Sequence, residues 1–324
     1  MKEEQLIFII SQPRSGSTYL QNLLSNNNQT NTCSEPWILL NFVNQLNPKL
    51  TKTDFDNKLA ADAFHDYLNK YDELDYHKRQ KEFIINIYKP MFNGYKFVID
   101  KTPRYWEILD ELVALFPKSK IIVLKRHPLD VAKSMVKTWE IDSFKKLRYF
   151  KRDLLVAPQR LKKFSDRHTN NPNVYTLRYE DLIADTTNEV KQLYNWCGIV
   201  YDDTVLDSEK NEKYKGKYGD PYQNSKLGYT KSKSKSQTKE LTTEFFSFLM
   251  GYANYLGEGF LTEYGNYKVE GLKPKKTRAF SQFVHFSNER SKNYTLKKEL
   301  KYFIKRIFYR LLNESKYLKN EPNS

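Results

Sequence analysis

The chain has 324 residues, 39% of them hydrophobic, and a formal net charge of +15. This apolar content is sufficient for a folded core and excludes wholesale disorder, and no run approaches the ~20 apolar residues that span a bilayer. The charge is uneven, because residues 273–324 hold fourteen Lys and Arg against four Glu, which leaves only +5 for residues 1–272. The basicity therefore belongs mainly to the C-terminal segment. Since no basic face with interleaved aromatic residues lies on a recognisable nucleic-acid-binding module, we predict no nucleic-acid partner.

Neither the cysteines nor the N-terminus indicates a metal site or an export signal. Cys33 and Cys197 are the only cysteines, too few for a metal knuckle or a disulfide framework, and the five histidines are scattered. We therefore predict no metal site. The first residues, "MKEEQ", run into an apolar strand without a signal segment, which favours a cytosolic location.

The chain opens with a pattern typical of a strand, a tight turn and a helix. The apolar run Leu6–Ile10 predicts a buried strand, and the helical pattern Gly16–Ser25 follows the turn "SQPRS". Further strands are predicted at 95–100, Ile121–Leu124 and Val174–Arg178, with helices at Tyr105–Leu115, from Pro128 to about Trp139, and at Glu189–Cys197 before Gly198. Strands that alternate with helices predict an α/β fold with a mostly parallel central sheet flanked by helices.

Three other stretches interrupt this alternation. Residues 41–92 are polar and helix-like, with apolar positions at Leu59, Ala63, Phe64 and Tyr67. We expect this insert, together with the helical stretch 140–167, to shape a substrate pocket. Residues 210–238 are rich in Lys, Ser and Gly with little periodicity, which predicts a long functional loop.

The first turn has the chemistry of an anion site. A helix N-terminus offers unpaired backbone N–H groups and a partial positive charge. Gly16 lets the main chain approach a ligand, and Ser15, Ser17 and Thr18 add hydroxyl donors. Compared with a P-loop, Ser17 replaces the lysine, and Arg14 supplies a charge whose planar fork fits a tetrahedral oxyanion. The alternative is a plain strand–helix turn with a serine-rich cap.

A second segment, "IIVLKRHPLDVAKS", provides a complementary pair. Arg126 ends a predicted strand, and Ser134 follows eight residues later, two turns into the next helix. Both could reach a second phosphate at the carboxyl edge of a parallel sheet, where such folds bind ligands. Taken alone, Arg126 could equally form a surface ion pair, and Ser134 could be a solvated helix position.

These segments together resemble the sulfotransferase family that uses 3′-phosphoadenosine 5′-phosphosulfate (PAPS). "QPRSGSTYLQNLL" is similar to the family's 5′-phosphosulfate loop in its P-R-S-G-[ST]-T form, typical of the bacterial and tyrosylprotein-sulfotransferase-like branch. "KRHPLDVAKS" is similar to the 3′-phosphate segment, and "DKTPRYW" and "LRYEDL" resemble two further family stretches. The resemblance covers about residues 5–40 and 95–200. It implies a P-loop-like sulfotransferase architecture, which we place at residues 1–272, with residues 273–324 as a basic tail.

The resemblance assigns roles to matching positions. The 5′-phosphosulfate would be held by Arg14, Ser15, Gly16, Ser17 and Thr18, the 3′-phosphate by Arg126 and Ser134, and the nucleotide would also contact Tyr179. Lys101 matches a lysine beside the transferred group, and Glu35 in "CSEPW" matches the base of the tyrosylprotein branch. Glu35 as a helix cap or salt-bridge partner, and Lys101 as a solvated strand-end lysine, remain alternatives.

The implied activity is transfer of a sulfuryl group from PAPS to an acceptor hydroxyl. Arg14 and Lys101 would neutralise the leaving phosphate and Glu35 would take the proton, so no metal is expected. A glycan or glycolipid is one candidate acceptor. The alternative function is a P-loop nucleotide kinase or ATPase that uses Asp100, at the end of "FVID", for magnesium.

The C-terminal segment has a pattern of its own. Within 296–312, apolar residues fall at helical spacing and basic residues occupy much of the rest. Such a basic amphipathic helix can lie on an anionic membrane surface, which predicts peripheral association with the inner face of the membrane. Docking on the chain's own core or on a dimer partner is the alternative.

Overall fold

A computed structural model of the chain describes residues 1–51, 53, 55–207, 243–268, 278–285, 300 and 303–304. At its centre lies a five-stranded sheet in which every neighbouring pair of strands is parallel. The strands follow the order β2-β3-β1-β4-β5 across the sheet. Their bounds are β1 (Leu6–Ser11), β2 (Thr30–Thr32), β3 (Phe97–Lys101), β4 (Lys120–Lys125) and β5 (Val174–Arg178).

Helices cover both faces of the sheet, which explains why β1 is apolar without alternation. Alternate residues of β1 enter two separate cores: Phe8 packs in the one and Ile9 in the other, and both are fully buried. The parallel α/β fold predicted from the sequence is thereby confirmed.

The helices are α1 (Ser17–Ser25), α2 (Val43–Leu46), α3 (Asn57–Lys70), α4 (Tyr76–Phe92), α5 (Leu109–Leu115), α6 (Pro128–Thr138), α7 (Phe144–Leu147), α8 (Lys151–Leu155), α9 (Ala157–Arg167), α10 (Tyr179–Ala184), α11 (Thr186–Cys197), α12 (Thr243–Leu256), α13 (Glu258–Gly265) and α14 (Arg278–His285).

The strand register decides which residues meet at the carboxyl edge. Ile9 of β1 pairs with Lys101 of β3 on one side and with Ile122 of β4 on the other. The turn after β1 therefore lies between the ends of β3 and β4. Residues that follow three different strands converge on this edge, as expected for parallel sheets.

Several elements differ from the sequence-based expectation. The edge strand β2 consists of the polar residues Thr30–Thr32, and the sequence did not predict it because it has no apolar pattern. The predicted helix Tyr105–Leu115 begins instead with a 3₁₀ turn, Pro103–Ile108, before α5. The predicted end of α11 is confirmed, since Gly198 caps it with a left-handed φ of 73°.

The peripheral segments are described only in part. Part of the predicted tail packs on the core, because Phe280 and Phe283 of α14 lie 6.0 and 4.9 Å from the ring of Phe248 in α12. The predicted loop 210–238 and most of 296–312 lie outside the described residues. Within the described ranges, no helix combines the length and the apolarity that crossing a membrane requires.

Candidate active site

The turn between β1 and α1 has a strained backbone that leaves no room for a side chain at one position. Arg14 and Gly16 both have left-handed backbones, with φ of 73° and 91°. A Cβ atom at Gly16 would lie 2.3 Å from the Tyr179 ring. Glycine is therefore required here for two reasons, its conformational freedom and its contact with Tyr179. A non-glycine residue in this conformation, as at Arg14, is a feature that clusters at functional sites.

Arg126 joins this turn to the end of β4. Its Nη1 donates a hydrogen bond of 3.1 Å to the carbonyl oxygen of Arg14. Its guanidinium carbon also lies 4.4 Å from the centre of the Tyr179 ring. Two arginines that are 112 residues apart in sequence are thus brought together, with Tyr179 packed against both the turn and Arg126.

The hydroxyl groups of the turn fit an anion. Ser15 is fully buried, and its Oγ has no hydrogen-bond partner among the residues that the structure describes. Ser17 and Thr18 are also buried and form the first turn of α1, whose backbone N–H groups lack partners within the helix. A buried hydroxyl without a partner costs free energy unless a ligand satisfies it.

Ser134 belongs to the same unit as Arg126. It is half-buried in α6, which begins at Pro128, two residues after Arg126. The N-cap of α6 is His127, whose Nδ1 accepts a hydrogen bond of 3.2 Å from the backbone N–H of Leu129. His127 thus caps the helix through its side chain.

Lys101 and Glu35 form an ion pair at the end of β3. Lys101 Nζ lies 2.9 Å from Glu35 Oε1, with the Lys101 side chain only 2% exposed and that of Glu35 18% exposed. The lysine is therefore not the solvated strand-end residue that was the alternative, because it is buried and paired. Glu35 is indeed a salt-bridge partner, and its second oxygen, Oε2, accepts a hydrogen bond of 3.3 Å from Trp37 Nε1.

Trp37 was not anticipated from the sequence. It is half-buried beside Glu35 and has a left-handed φ of 54°, which costs free energy in a residue with a bulky side chain. The Arg104 guanidinium lies 5.5 Å from the centre of its ring. Trp37 lies in "EPW" and Arg104 in "PRYW", but neither local pattern predicted that the two side chains would be in contact.

Arg104 is held by a buried carboxylate from α8. Its Nε and Nη2 donate hydrogen bonds of 2.8–3.1 Å to Asp153, which is fully buried and also accepts from Trp106 Nε1 at 3.2 Å. The Asp153 carbonyl oxygen accepts a 2.8 Å bond from Gln12 Nε2 in the turn after β1. Asp153 therefore ties the turn after β1 to the 3₁₀ turn Pro103–Ile108 that carries Arg104. A bidentate arginine–carboxylate pair of this kind holds a rigid geometry.

Asp100 faces away from this site. Its carboxylate is fully buried and accepts hydrogen bonds from the hydroxyls of Tyr88 (2.6 Å), Thr102 (2.7 Å) and Tyr105 (2.8 Å). Burial raises its pKa, although these hydroxyls oppose the shift. Both oxygens are engaged within the core, so the residue does not fit the magnesium-binding alternative. Among the described residues, no group of three or more His, Cys, Asp and Glu side chains could hold a metal ion.

Comparison with curated proteins finds two similar chains. The nodulation protein NoeE of Sinorhizobium fredii is 29% identical over 140 residues, which is 42% of this chain and 32% of that protein. An uncharacterized protein of Aquifex aeolicus is 23% identical over 227 residues, 64% of this chain and 27% of that protein. The chain spans about a third or less of the length of these relatives.

Comparison with solved structures finds sulfotransferases. The sulfotransferase domain from the curacin biosynthetic pathway is 22% identical, with a TM-score of 0.42, over 62% of this chain and 76% of that one. A mouse sulfotransferase, SULT7A1 complexed with PAP, is 18% identical, with a TM-score of 0.38, over 62% of this chain and 61% of that one. A family model described as the sulfotransferase family matches residues 6–203, more than half of the chain. This stretch contains all five strands of the sheet and every predicted site residue, and the chain therefore belongs to the sulfotransferase family.

Proposed function

We propose that the protein transfers a sulfuryl group from PAPS to a hydroxyl group of an acceptor. The observation that carries this proposal is the meeting of Arg14, Arg126 and Tyr179 at one edge of the sheet, within a chain of the sulfotransferase family. Arg126 is anchored to the turn that carries Arg14, and two arginines in one site suit a nucleotide with two separate phosphate groups. A nucleoside triphosphate carries its phosphates in a single chain and would need cations at only one end of the nucleotide.

The donor would be held at both of its charged ends. The 5′-phosphosulfate would be bound by the N–H groups of the turn together with Arg14, Ser15, Gly16, Ser17 and Thr18. The 3′-phosphate would be bound by Arg126 and Ser134. The buried Oγ of Ser15, which has no partner among the described residues, and the N-terminus of α1 at Ser17 support the first assignment. The contact of Arg126 with Tyr179 supports a shared nucleotide site.

Transfer would be an in-line displacement. The acceptor oxygen attacks sulfur, the bond from sulfur to the bridging phosphate oxygen breaks, and the electron pair remains on the phosphate of the leaving nucleotide. Glu35 accepts the acceptor proton, and Arg14 and Lys101 neutralise the charge that develops on the leaving oxygen. The Lys101–Glu35 ion pair supports this arrangement, because the two side chains proposed as cation and base lie 2.9 Å apart at the end of β3.

The cationic side chains would neutralise the developing negative charge, as magnesium ions do in kinases. Lys101 is buried and fixed, and Arg126 is anchored to the turn, so both charges are preorganised. We therefore propose a metal-independent reaction. Full activity in the presence of EDTA is the expected result.

A glycan or glycolipid hydroxyl is the acceptor class that we would test first. Trp37 donates a hydrogen bond to Glu35, and an indole ring beside the proposed base suits the apolar face of a sugar ring. Residues 41–92 and 140–167 would form the rest of the acceptor pocket. Cytosolic location, and contact of residues 296–312 with the inner membrane surface, remain predictions that binding to anionic liposomes would test.

Calorimetry with adenosine 3′,5′-bisphosphate in EDTA tests the donor site. We expect binding without magnesium, and Arg126→Ala should weaken it by about tenfold to a hundredfold, as for removal of a charged hydrogen-bond partner. Lys133→Ala is a matched control on the same unit, because Lys133 is exposed and pairs with Asp130. Binding of Mg-ATP but not of the bisphosphate would contradict the proposal. A screen of acceptors with labelled PAPS then identifies the substrate class.

A further inference from the structure

Glu180, in the first turn of α10, connects the turn after β4 with the end of α13. One of its carboxylate oxygens, Oε1, accepts a hydrogen bond of 2.9 Å from the backbone N–H of His127. The other oxygen, Oε2, accepts a hydrogen bond of 2.8 Å from the hydroxyl of Tyr267. Hydrogen bonds to an ionised acceptor are the strong ones, and here both oxygens of one half-buried carboxylate are engaged. Glu180 therefore fixes two segments that are far apart in sequence to each other.

The turn that Glu180 holds carries Arg126. The Arg126 guanidinium carbon lies 4.4 Å from the ring centre of Tyr179, the residue before Glu180. Glu180 itself binds His127, the residue after Arg126 and the N-cap of α6, which carries Ser134. A carboxylate at a helix N-terminus also stabilises that end of the helix. The two residues proposed to bind the 3′-phosphate, Arg126 and Ser134, therefore flank a point that Glu180 anchors.

Tyr267 is held in place by the end of α13. Asn266 has a left-handed backbone with a φ of 55°, which turns the chain back on the helix. The backbone N–H of Tyr267 then donates a hydrogen bond of 3.1 Å to the carbonyl oxygen of Leu261, the pattern of a Schellman cap. A Cβ atom at Gly265 would lie 2.5 Å from the Tyr267 ring, so this buried ring packs directly on the helix backbone. The hydroxyl of Tyr267 is thereby directed at Glu180 by local structure.

The ring of Tyr267 also contacts both of the segments that the carboxylate joins. Its centre lies 4.8 Å from that of the His127 ring and 5.1 Å from the Arg178 guanidinium carbon. Burial lowers the pKa of His127, and a hydrogen bond with the backbone of Lys268 is among the effects that oppose the shift. Residues 267 and 268 are therefore packed against the turn after β4 through ring, hydroxyl and backbone contacts.

We propose that Tyr267 is a positioning residue of the donor site, which fixes Arg126 for the 3′-phosphate of the nucleotide through Glu180 and the backbone of His127. The proposal rests on the proposed function, because that function assigns the 3′-phosphate to Arg126. The hydroxyl of Tyr267 is used on Glu180, so its effect on the nucleotide is indirect. Tyr267 lies beyond residues 6–203, which match the family model, and the donor site therefore depends on a part of the chain outside that match.

Two nucleotides that differ only in the 3′-phosphate test this role by calorimetry in EDTA. Adenosine 5′-monophosphate lacks that phosphate, so the ratio of its dissociation constant to that of adenosine 3′,5′-bisphosphate measures what the 3′-phosphate contributes. Tyr267→Phe keeps the ring and removes the hydroxyl. It should weaken binding of the bisphosphate by about tenfold, as for loss of one hydrogen bond to a charged group, and leave binding of the monophosphate unchanged.

The two ways in which this test can fail are distinguishable. A wild type that prefers the bisphosphate, with the same preference in Tyr267→Phe, would overturn the role of Tyr267 and leave the proposed function standing. A wild type that binds both nucleotides equally, or neither, would contradict the proposed donor site and with it the role of Tyr267. Equal weakening of both nucleotides in Tyr267→Phe would show a structural effect and would also overturn the proposal.

Paired variants test whether Tyr267 acts through Arg126. In an Arg126→Ala protein, Tyr267→Phe should weaken binding of the bisphosphate no further, because the group that it positions is already absent. Independent, multiplicative losses in the double variant would overturn this route. Tyr201→Phe is the matched control, since it removes a hydrogen bond of 2.9 Å between a tyrosine hydroxyl and the carboxylate of Asp203. It should leave both dissociation constants unchanged, and a loss equal to that of Tyr267→Phe would overturn the proposal.

Discussion

Asp100 and Lys101 are neighbours on β3, yet their side chains lie on opposite sides of the sheet and have partners of different kinds. Asp100 is enclosed by the hydroxyls of Tyr88, Thr102 and Tyr105 in one core, with no exposed surface. Lys101 points to the other side, where it pairs with the partly exposed Glu35 at the sheet edge. Both are buried ionisable groups with close partners.

The difference teaches that burial of a charge does not by itself mark a reactive group. The partners of Asp100 are neutral hydroxyls fixed within the core, so this carboxylate stabilises the packing of α4 and of the turn after β3. The partner of Lys101 is a second charge that is partly open to solvent. We therefore expect substitutions on the Lys101 side to change turnover and substitutions on the Asp100 side to change stability.

The largest effect is expected for Glu35→Gln. If Glu35 takes the acceptor proton, kcat should fall by about 10²–10⁴, the usual contribution of a general base. The affinity for adenosine 3′,5′-bisphosphate should stay nearly intact, because the amide keeps the size and the hydrogen bond to Trp37. Steady-state kinetics and calorimetry provide both values, and unchanged turnover would exclude Glu35 as the base.

Lys101→Met should have the next largest effect. Loss of a fixed cation at the leaving oxygen should lower kcat by about 10²–10³. Lys125→Met is the matched control, because Lys125 is also a buried lysine at the end of a strand but lies 5.2 Å from the Tyr264 ring. A similar loss of kcat in both variants would show that the effect is structural.

On the other side of β3, Asp100→Ala should reduce stability rather than reaction rate per folded molecule. It leaves the three hydroxyl donors in the core without their acceptor, which should lower the free energy of unfolding by about 3 kcal/mol. Asp110→Ala, which removes an exposed ion pair with Arg167, should cost less than about 0.5 kcal/mol. Urea unfolding measures both, and equal losses would contradict the comparison.

The pH dependence of Asp100→Asn provides a smaller effect with a definite sign. Burial raises the pKa of Asp100 in the folded protein. The stability that proton binding supplies is therefore fully present below the unfolded pKa, about 4, and is lost as the pH rises through the folded pKa. Because the amide does not titrate, the stability of the wild type relative to Asp100→Asn should decline with rising pH. A difference that grows with pH would contradict this prediction.

The smallest effect concerns Cys33, which lies near both groups. Burial first, and then the Asp100 charge, raise the pKa of Cys33 to about 11, while Lys101 opposes the shift. Its thiolate fraction at pH 7 is then about 10⁻⁴, so iodoacetamide should label the native protein very slowly. Labelling should be slower still in Lys101→Met. Rapid labelling of the native protein would show that the lysine dominates at this position.

Much of the fold could be predicted because the sequence patterns that indicate its strands and turns are local. Buried strands such as Ile121–Leu124 appear as continuous apolar runs, and the turn at Gly16 follows from residue types with special backbone preferences. The edge strand Thr30–Thr32 could not be predicted in this way, because it is short and polar and exists only by pairing with β3. The strand order across the sheet likewise follows from packing.

The candidate site also combines features that local sequence predicts with features that depend on tertiary contacts. The sequence by itself determined the parallel α/β class, the turn after β1 with Arg14 and the strand end with Arg126, since residue type and spacing along the chain suffice for each. Only the tertiary structure decided that Lys101 pairs with Glu35, 66 residues away, and that Asp153 holds Arg104, 49 residues away. It also decided that Asp100 is closed within the core and that α3 is exposed. Such features depend on which elements pack together, and no local pattern encodes contacts between distant segments.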